Sequence, residues 1–452
     1  MTIDRRRLLT VSALTGAVPA ANWITPASAA PLTAFGIDAT ELGVRAGGGA
    51  DQTQMLQAAI DRAAGARVPL MLGPGDYRVG RLTLPSGTQI AGVRGATRLV
   101  FTGGRALIGA SRADHVTLSG LVLDGADLPM EINGLVQFEQ CDDLRIVDCE
   151  IVNAGRTAIR LQAVQGAVSG NVITKAADVA LYSLDARGLA IQNNTIRGAG
   201  NGGILVHRSS VGDDGTLVTD NRIEDIANVA GGSGQFGNAI NVFRAGNVIV
   251  RGNRIGRAAF SAVRGNAASN IQIVGNTATD IGEVAIYSEF GFEGAVIANN
   301  TVDGAAIGVA VANFNEGGRL AVIQGNLIRN LKPKRPAGTD PNDGAGMGIS
   351  VEADASVTGN VVENAPYAGI AVGWGRYMRD VSVVGNVIRG ARFGITASVS
   401  PGAGTAVIAD NLISGIERAA IVGMDHARVV NGDLSQEPQR FANLQISGNR
   451  VR

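Results

Sequence analysis

Cysteine is almost missing from this chain. Two Cys in 452 residues cannot build a disulfide scaffold, so burial and backbone pairing must hold the fold together. Aromatic residues reach only 4%, which argues against a thick globular core. The three His fall in no metal-ligand spacing with Cys or carboxylates, and no calcium loop is present, so no metal or other cofactor is expected. The formal net charge is +0, which excludes bulk electrostatic attraction to nucleic acid or to an anionic membrane. No apolar run approaches the roughly 20 residues of a permanent membrane span.

Glycine is plentiful. The 63 Gly, with 45% hydrophobic residues, suit a thin core of Val, Ile and Ala. That core repeats. Val248-Ile-Val-Arg-Gly-Asn-Arg-Ile255 reads apolar, any, apolar, any, small or polar, Asn, any, apolar. The Asn recurs at 171, 194, 221, 253, 276, 300, 326, 360, 386, 411 and 449, in steps of 23, 27, 32, 23, 24, 26, 34, 26, 25 and 38. Cys149 stands 22 residues before Asn171, where another rung would be.

A unit of about 22 to 26 residues with occasional insertions is the mark of a solenoid. Its segments are short, alternate in polarity and break at Gly and Asn, so they are strands and turns. Leu does not recur at fixed places, which excludes a leucine-rich repeat. The unit is too short for a propeller blade and lacks a Trp-Asp pair. A parallel β-helix remains, with three strands per coil. Asn tolerates the left-handed backbone region. Stacked about 4.8 Å apart, its amides can bond from rung to rung.

The chain opens with a targeting segment at residues 1–29. Asp4-Arg-Arg-Arg-Leu-Leu-Thr10 precedes a modest apolar run to about Ala21, and Ala27-Ser-Ala29 is a small-x-small cleavage site. This resembles a twin-arginine export signal, which implies the twin-arginine translocase as a transient partner. A mature protein beginning near Ala30 would work in the periplasm or outside the cell, with no stable membrane insertion. Residues 30–65 read as a linker and a capping helix. Met55, Leu56, Ala59, Ile60 and Ala63 share one helical face, Asp51 or Thr53 supplies the N-cap, and Gly65 ends it. Such a helix would cover the open end of a solenoid spanning 66–452.

Next come Val68-Pro-Leu-Met-Leu-Gly-Pro-Gly-Asp-Tyr77 and Leu82-Thr-Leu-Pro-Ser-Gly-Thr-Gln-Ile-Ala-Gly92. With the preceding Asp-x-Thr helix, residues 50 to 95 resemble the N-terminal region of the pectate-lyase-like superfamily. The resemblance implies an all-β, right-handed parallel β-helix with an N-terminal capping helix. It implies no single reaction, because lyases, hydrolases, epimerases and phage tailspikes share that region. The whole sequence is also similar to a family of twin-arginine-translocated repeat proteins, which brings no catalytic residues with it. Cys141 and Cys149 belong to neighbouring strands of one early coil. Export would permit a disulfide, but Cys149 reads better as a buried substitute for a rung.

Chemistry should lie on the second strand of each coil. Alternation sends its third and fifth residues outward. The third column runs Arg160, Tyr182, Leu205, Asn241, Arg264, Tyr287, Ala310, Ser350. The fifth runs Gln162, Leu184, His207, Phe243, Asn266, Glu289, Ala312, Glu352. At the strand exits stand Arg208, Arg244, Phe290, Asn313, Asp354 and Trp374. Polar and ionisable groups gather in the middle coils, and small residues follow. Insertions at 227–238 and 332–346 lengthen the turn entering this strand, and 424–441 lengthens a turn leaving it. Such loops can wall a binding site. In pectate-lyase-like proteins the corresponding sheet carries the active site.

These columns predict a groove that binds an acidic polysaccharide and cleaves or epimerises it. Arg264, Arg244 or Arg208 would neutralise a uronate, and Tyr287 or His207 would move the proton. A glycoside hydrolase would use Glu289, but Glu352 lies two coils away, about 10 Å, past the roughly 6.5–9.5 Å inverting range. Glu293 is closer in sequence. A carbohydrate-binding or envelope protein without turnover needs only the stacking residues Phe243, Phe290 and Trp374. The catalytic candidates are Tyr287, Arg264, Glu289 and His207. The binding candidates are Arg208, Asn241, Arg244, Asn266, Phe290, Asn313, Glu352 and Trp374. The chain has neither the Asp pairs with Gly-His-Gly of polygalacturonases nor the Tyr-Gly-x-Asp-Pro-His run of alginate epimerases.

Overall fold

Three short strands and three turns make each coil, and successive coils pair in parallel. The structure, a computed structural model, describes residues 36–131, 134–232, 234–312, 318–340 and 343–452. The export segment therefore lies outside the described residues. The first sheet holds the strands that lead into the Asn turn. It has sixteen strands, from Ile37–Asp38 to Leu444–Ser447. The second sheet holds the strands that follow the Asn, such as Arg254–Ala258 and Thr277–Thr279. The third holds the column-bearing strands, such as Val263–Asn266 and Val284–Glu289. In late coils the second and third strands run together, as in Val361–Val372, Val387–Ser398 and Leu412–Asp425.

The core follows from register. On the third sheet Ile240, Val263, Ile286, Val309 and Ile349 pair in succession, and none is more than 1% exposed. Each coil thus places a β-branched side chain on the one before. Burial contributes roughly 1.5–3 kcal/mol per side chain of this size, and the pleated surface suits their stiff χ1.

The Asn ladder is continuous from 171 to 449. In each step the backbone N–H and the side-chain amide donate to Oδ1 of the next Asn. For Asn276 and Asn300 the distances are 2.9 and 3.0 Å. The same amide also donates to a carbonyl of the coil before, here Val250 at 3.0 Å. Buried polar groups must be paired, and here the polar atoms of one turn satisfy the next. The Cys149 N–H donates to Oδ1 of Asn171 at 2.9 Å, so Cys149 is the first rung on the backbone side. Both cysteines are free and buried. Burial pushes the Cys149 thiol up to about 11.

The left-handed residue is not the ladder Asn, as the repeat predicts, but the one before it. Asp220, Gly252, Gly275 and Asn299 have φ of 57, 68, 68 and 56°. The turn needs two different residues, one to reverse the chain and one whose amide bridges coils. A Cβ on Gly252 would fall 2.4 Å from Oδ1 of Asp220 on the preceding coil, so Gly there lets that carboxylate lie over the turn.

The helix spans Thr53–Ala66. Leu56, Ala59, Ile60 and Ala63 are buried as predicted, but Met55 is 46% exposed, because it lies at the edge of the apolar face. Gln52 is the N-cap, and its side chain makes no capping bond. Asp51 instead accepts from the Thr53 N–H at 2.8 Å. Nor does Gly65 end the helix: Arg67, at φ 58°, is the C-cap. The helix covers the strand edge at Thr83, whose N–H and carbonyl both bond the Gln57 amide, at 2.8 and 2.7 Å. Ile37–Asp38 pairs with Leu70–Met71, so the first sheet begins ahead of the helix.

The insertion after Met424 completes the strand that it leaves. It turns back as an antiparallel hairpin and satisfies the last third-sheet strand. The Asp433 carboxylate accepts from the N–H groups of Ala420 and Ile421, and Asn431 accepts from Gly423. Among the described residues no later strand pairs with those donors, and the fold-back supplies their acceptors. Among the described residues no helix is long and apolar enough to cross a membrane.

Candidate functional site

The outward columns have the predicted register. Arg264 pairs with Tyr287 and Asn266 with Glu289. Their surroundings divide into a sealed cluster and an open strip.

The sealed cluster centres on Arg264. Its Nε and Nη2 donate to the two oxygens of Glu289 at 2.7 and 2.9 Å. Asn266 adds a bond to the same carboxylate at 2.9 Å. The Arg264 guanidinium lies 4.9 Å from the Tyr287 ring centroid. Its Nη1 faces Glu283 at 3.6 Å, and Glu283 accepts from Arg335 at 2.8 Å. Two guanidiniums thus balance two carboxylates. Glu289 is 1% and Glu283 3% exposed.

Both insertions cover this cluster instead of walling an open groove over it. Residues 227–238 bring Gly234 onto Arg264, where a Cβ would stand 3.3 Å from Nη2, and Asn241 reaches the Gln235 carbonyl at 3.5 Å. Residues 332–346 supply Arg335, which also binds the Gly344 carbonyl. Burial holds the Tyr287 phenol well above its ordinary pKa, and the Glu289 charge adds to this. Burial also raises the Glu283 carboxyl, outweighing Arg264 and Arg335. Glu283 and Arg335 are not in the columns. Only their neighbourhood to insertions could have marked them.

The open strip lies on four successive coils to the N-terminal side. Arg160 stacks on Tyr182 at 4.9 Å. Tyr182 meets His207 edge-on at 5.2 Å, and His207 meets Phe243 at 5.6 Å. Arg244 stacks on Phe243 at 4.7 Å and is exposed, whereas the other four are half-buried. Burial pulls the His207 imidazole down to about 4, so the ring is neutral at pH 7. Such a strip offers apolar faces, neutral hydrogen-bonding edges and two cations.

The remaining candidates are dispersed. Arg208 turns back under Gly212 toward Asp214, at 4.0 Å, where the strand register shifts. Phe290 is exposed at a left-handed strand exit. Glu352 is buried. Trp374, also exposed, meets His426 edge-on at 5.4 Å, several coils beyond the strip. Asn313 lies outside the described residues. Arg160 and Tyr182 stand in the columns but were not among the predicted site residues. A cleft of about 410 Å³ lies at the turn carrying Asn330, Asn364 and Arg392, away from both groups.

Comparison with known proteins bears on the fold. No curated protein matches this sequence. In bacteriophage phi29, an N-terminal fragment of gene product 12 is similar at 15% identity and a TM-score of 0.56, over 93% of this chain and 71% of that one. The Azotobacter vinelandii mannuronan C-5 epimerase AlgE6 A-module is similar at 15% identity and a TM-score of 0.45, over 92% and 99%. The catalytic unit of an α-1,3-glucanase from Streptomyces thermodiastaticus is similar at 16% identity and 0.49, over 94% and 70%. The model of the right-handed β-helix region matches residues 134–328 and 235–388, together more than half of the chain. Repeat, coil register and family match agree, and the chain belongs to the right-handed β-helix family.

Proposed function

We propose that this is an exported carbohydrate-binding protein that holds an acidic polysaccharide along the open strip of the third sheet. The observation that carries this reading is the unbroken stack Arg160, Tyr182, His207, Phe243 and Arg244. Four coils place its ends roughly 14 Å apart, enough for a few sugar units. Sugar rings present apolar C–H faces and hydroxyl rims, which suit half-buried aromatic rings. Carboxylates along the chain suit guanidiniums. The segment with Arg5 and Arg6 would deliver the protein through the twin-arginine translocase to the periplasm or beyond.

Turnover at the sealed cluster is the second reading, favoured by the contact between Tyr287 and Arg264. A phenol kept protonated could donate a proton in elimination or epimerisation. Arg264, however, would have to leave Glu289 before it could neutralise a substrate carboxylate. Hydrolysis would need a partner for Glu289, and Glu352 is about 10 Å away by coil rise. Binding without turnover is therefore better supported.

A polysaccharide panel tests this, read by retention, by new unsaturated ends and by new reducing ends. Acidic polymers should be retained with neither kind of end produced, and Tyr182→Ala or Phe243→Ala should weaken retention about tenfold or more. Unsaturated ends that vanish in Tyr287→Phe would replace the binding reading with a lyase. Reducing ends that vanish in Glu289→Gln would replace it with a hydrolase. Failure to retain any polymer would overturn the strip as a polysaccharide site.

A further inference from the structure

One coil before the strip, the third sheet carries a cleft of about 130 Å³ lined by Arg81, Arg105, Gly109, Ser111, Gln137 and Glu139. Gly109 pairs with Gln137, and Gln137 pairs with Arg160, so the cleft continues the outward column. Gly109 leaves room for a guanidinium to lie against the strand. A Cβ there would stand 3.3 Å from Nη2 and 3.7 Å from Nε of Arg81.

Its two cations are unmatched. Among the described residues neither Arg81 nor Arg105 has an ion pair or a hydrogen bond, whereas Arg264 and Arg335 are matched by Glu289 and Glu283. The nearby Glu139 carboxylate accepts from Gln137 Nε2 at 2.5 Å. Gln137 Oε1 is buried and receives no donor. The cleft therefore presents two exposed guanidiniums with no anionic partner among the described residues, one acceptor without a donor, and a carboxylate that already holds one.

That combination selects the ligand. A neutral sugar would leave both guanidiniums unmatched. A fully ionised inorganic anion has no hydroxyl for Gln137 Oε1 or Glu139. A carboxylate and hydroxyls on one small ring satisfy all of them. The space equals the liquid volume of about four waters and falls below the roughly 300–1,000 Å³ of common ligand pockets. It seats the carboxylate and the neighbouring hydroxyls of one unit, at the open end of the strip, with the rest of the ring outside.

We infer that this cleft is a uronate subsite. Arg81 and Arg105 bind the carboxylate of one acidic sugar, and Gln137 and Glu139 accept hydrogen bonds from its hydroxyls. As a continuation of the strip, the site rests on the carbohydrate-binding reading above. It fixes where the acidic charge of the chain is recognised.

Free D-galacturonate and D-galactose, titrated into the whole protein, test the subsite without a polymer. The readout is the arginine Nε–Hε resonances, assigned through Arg81→Gln and Arg105→Gln. Galacturonate should shift the Arg81 and Arg105 signals while galactose leaves them in place. Each variant should weaken galacturonate binding about tenfold with an unchanged melting temperature. Silent arginines, or equal responses to both sugars, would overturn the subsite. Galacturonate binding that survives in the double variant would do the same. If polymers are retained while both arginines stay silent, the subsite fails and the strip stands. If galacturonate shifts both arginines but no polymer is retained, the strip fails and the subsite is supported.

Discussion

Asn253 and Asn276 are joined twice through one atom: the backbone N–H and the side-chain amide of Asn253 both donate to Oδ1 of Asn276, at 2.9 and 3.0 Å. Replacing Asn276 with Ala removes that acceptor and also the donor to Val250. Leaving such groups unpaired costs about 1–3 kcal/mol. The urea midpoint of Asn276→Ala should fall accordingly. An unchanged midpoint would mean that the ladder does not stabilise the coils.

Arg335 and Glu283 should be coupled. Removing Arg335 leaves a buried carboxylate short of one partner, and breaking such pairs costs up to about 3–5 kcal/mol. Glu283 already titrates above its ordinary value because of burial. A raised folded pKa means stability that is full below the unfolded pKa and is lost as pH rises through the folded one. The deficit of Arg335→Ala should therefore be large at pH 7 and narrow in acid. Arg335→Met with Glu283→Gln should recover most of it. Strictly additive effects in a double-mutant cycle would show the two residues to be independent.

His207 gives the opposite pH dependence. Its folded pKa of about 4 lies below the ordinary 6.5. Its neutral form is accommodated in full above pH 6.5, and stability is lost as pH falls from there through 4. The loss is up to about 3 kcal/mol. Chemical denaturation of wild type and His207→Gln at pH 7 and pH 4 measures it. Parallel decline in both would assign the acid sensitivity elsewhere.

Export should depend on Arg5 and Arg6. With both changed to Lys, the protein should remain in the cytoplasm with residues 1–29 attached. Recovery of processed protein from the periplasm would remove the twin-arginine assignment.

The parts of this fold that could be read from sequence are those set by neighbours at a constant distance. Asn253, Asn276 and Asn300 fall at near-constant steps, so a bond from each to the next was visible as a repeat. The pairing of Arg264 with Tyr287 followed from the same count. The cover over Arg264 did not. Gly234 and Arg335 reach it from loops of different length, and Glu283 meets an arginine 52 residues away. No periodicity carries that information, so residues expected along an open groove are enclosed. Arg81 and Arg105 escaped notice for a related reason: their cleft exists because Gly109 has no side chain, and an absent side chain leaves no pattern.

The direction of the Asn bonds bears on how the protein grows. Each rung donates forward, so a nascent chain always ends in the same tip, an N–H and an amide awaiting the next Oδ1. Adding a coil satisfies that tip and recreates it one step on. No coil number is favoured by the ladder itself. Duplication or loss of whole units in evolution would leave every remaining rung paired.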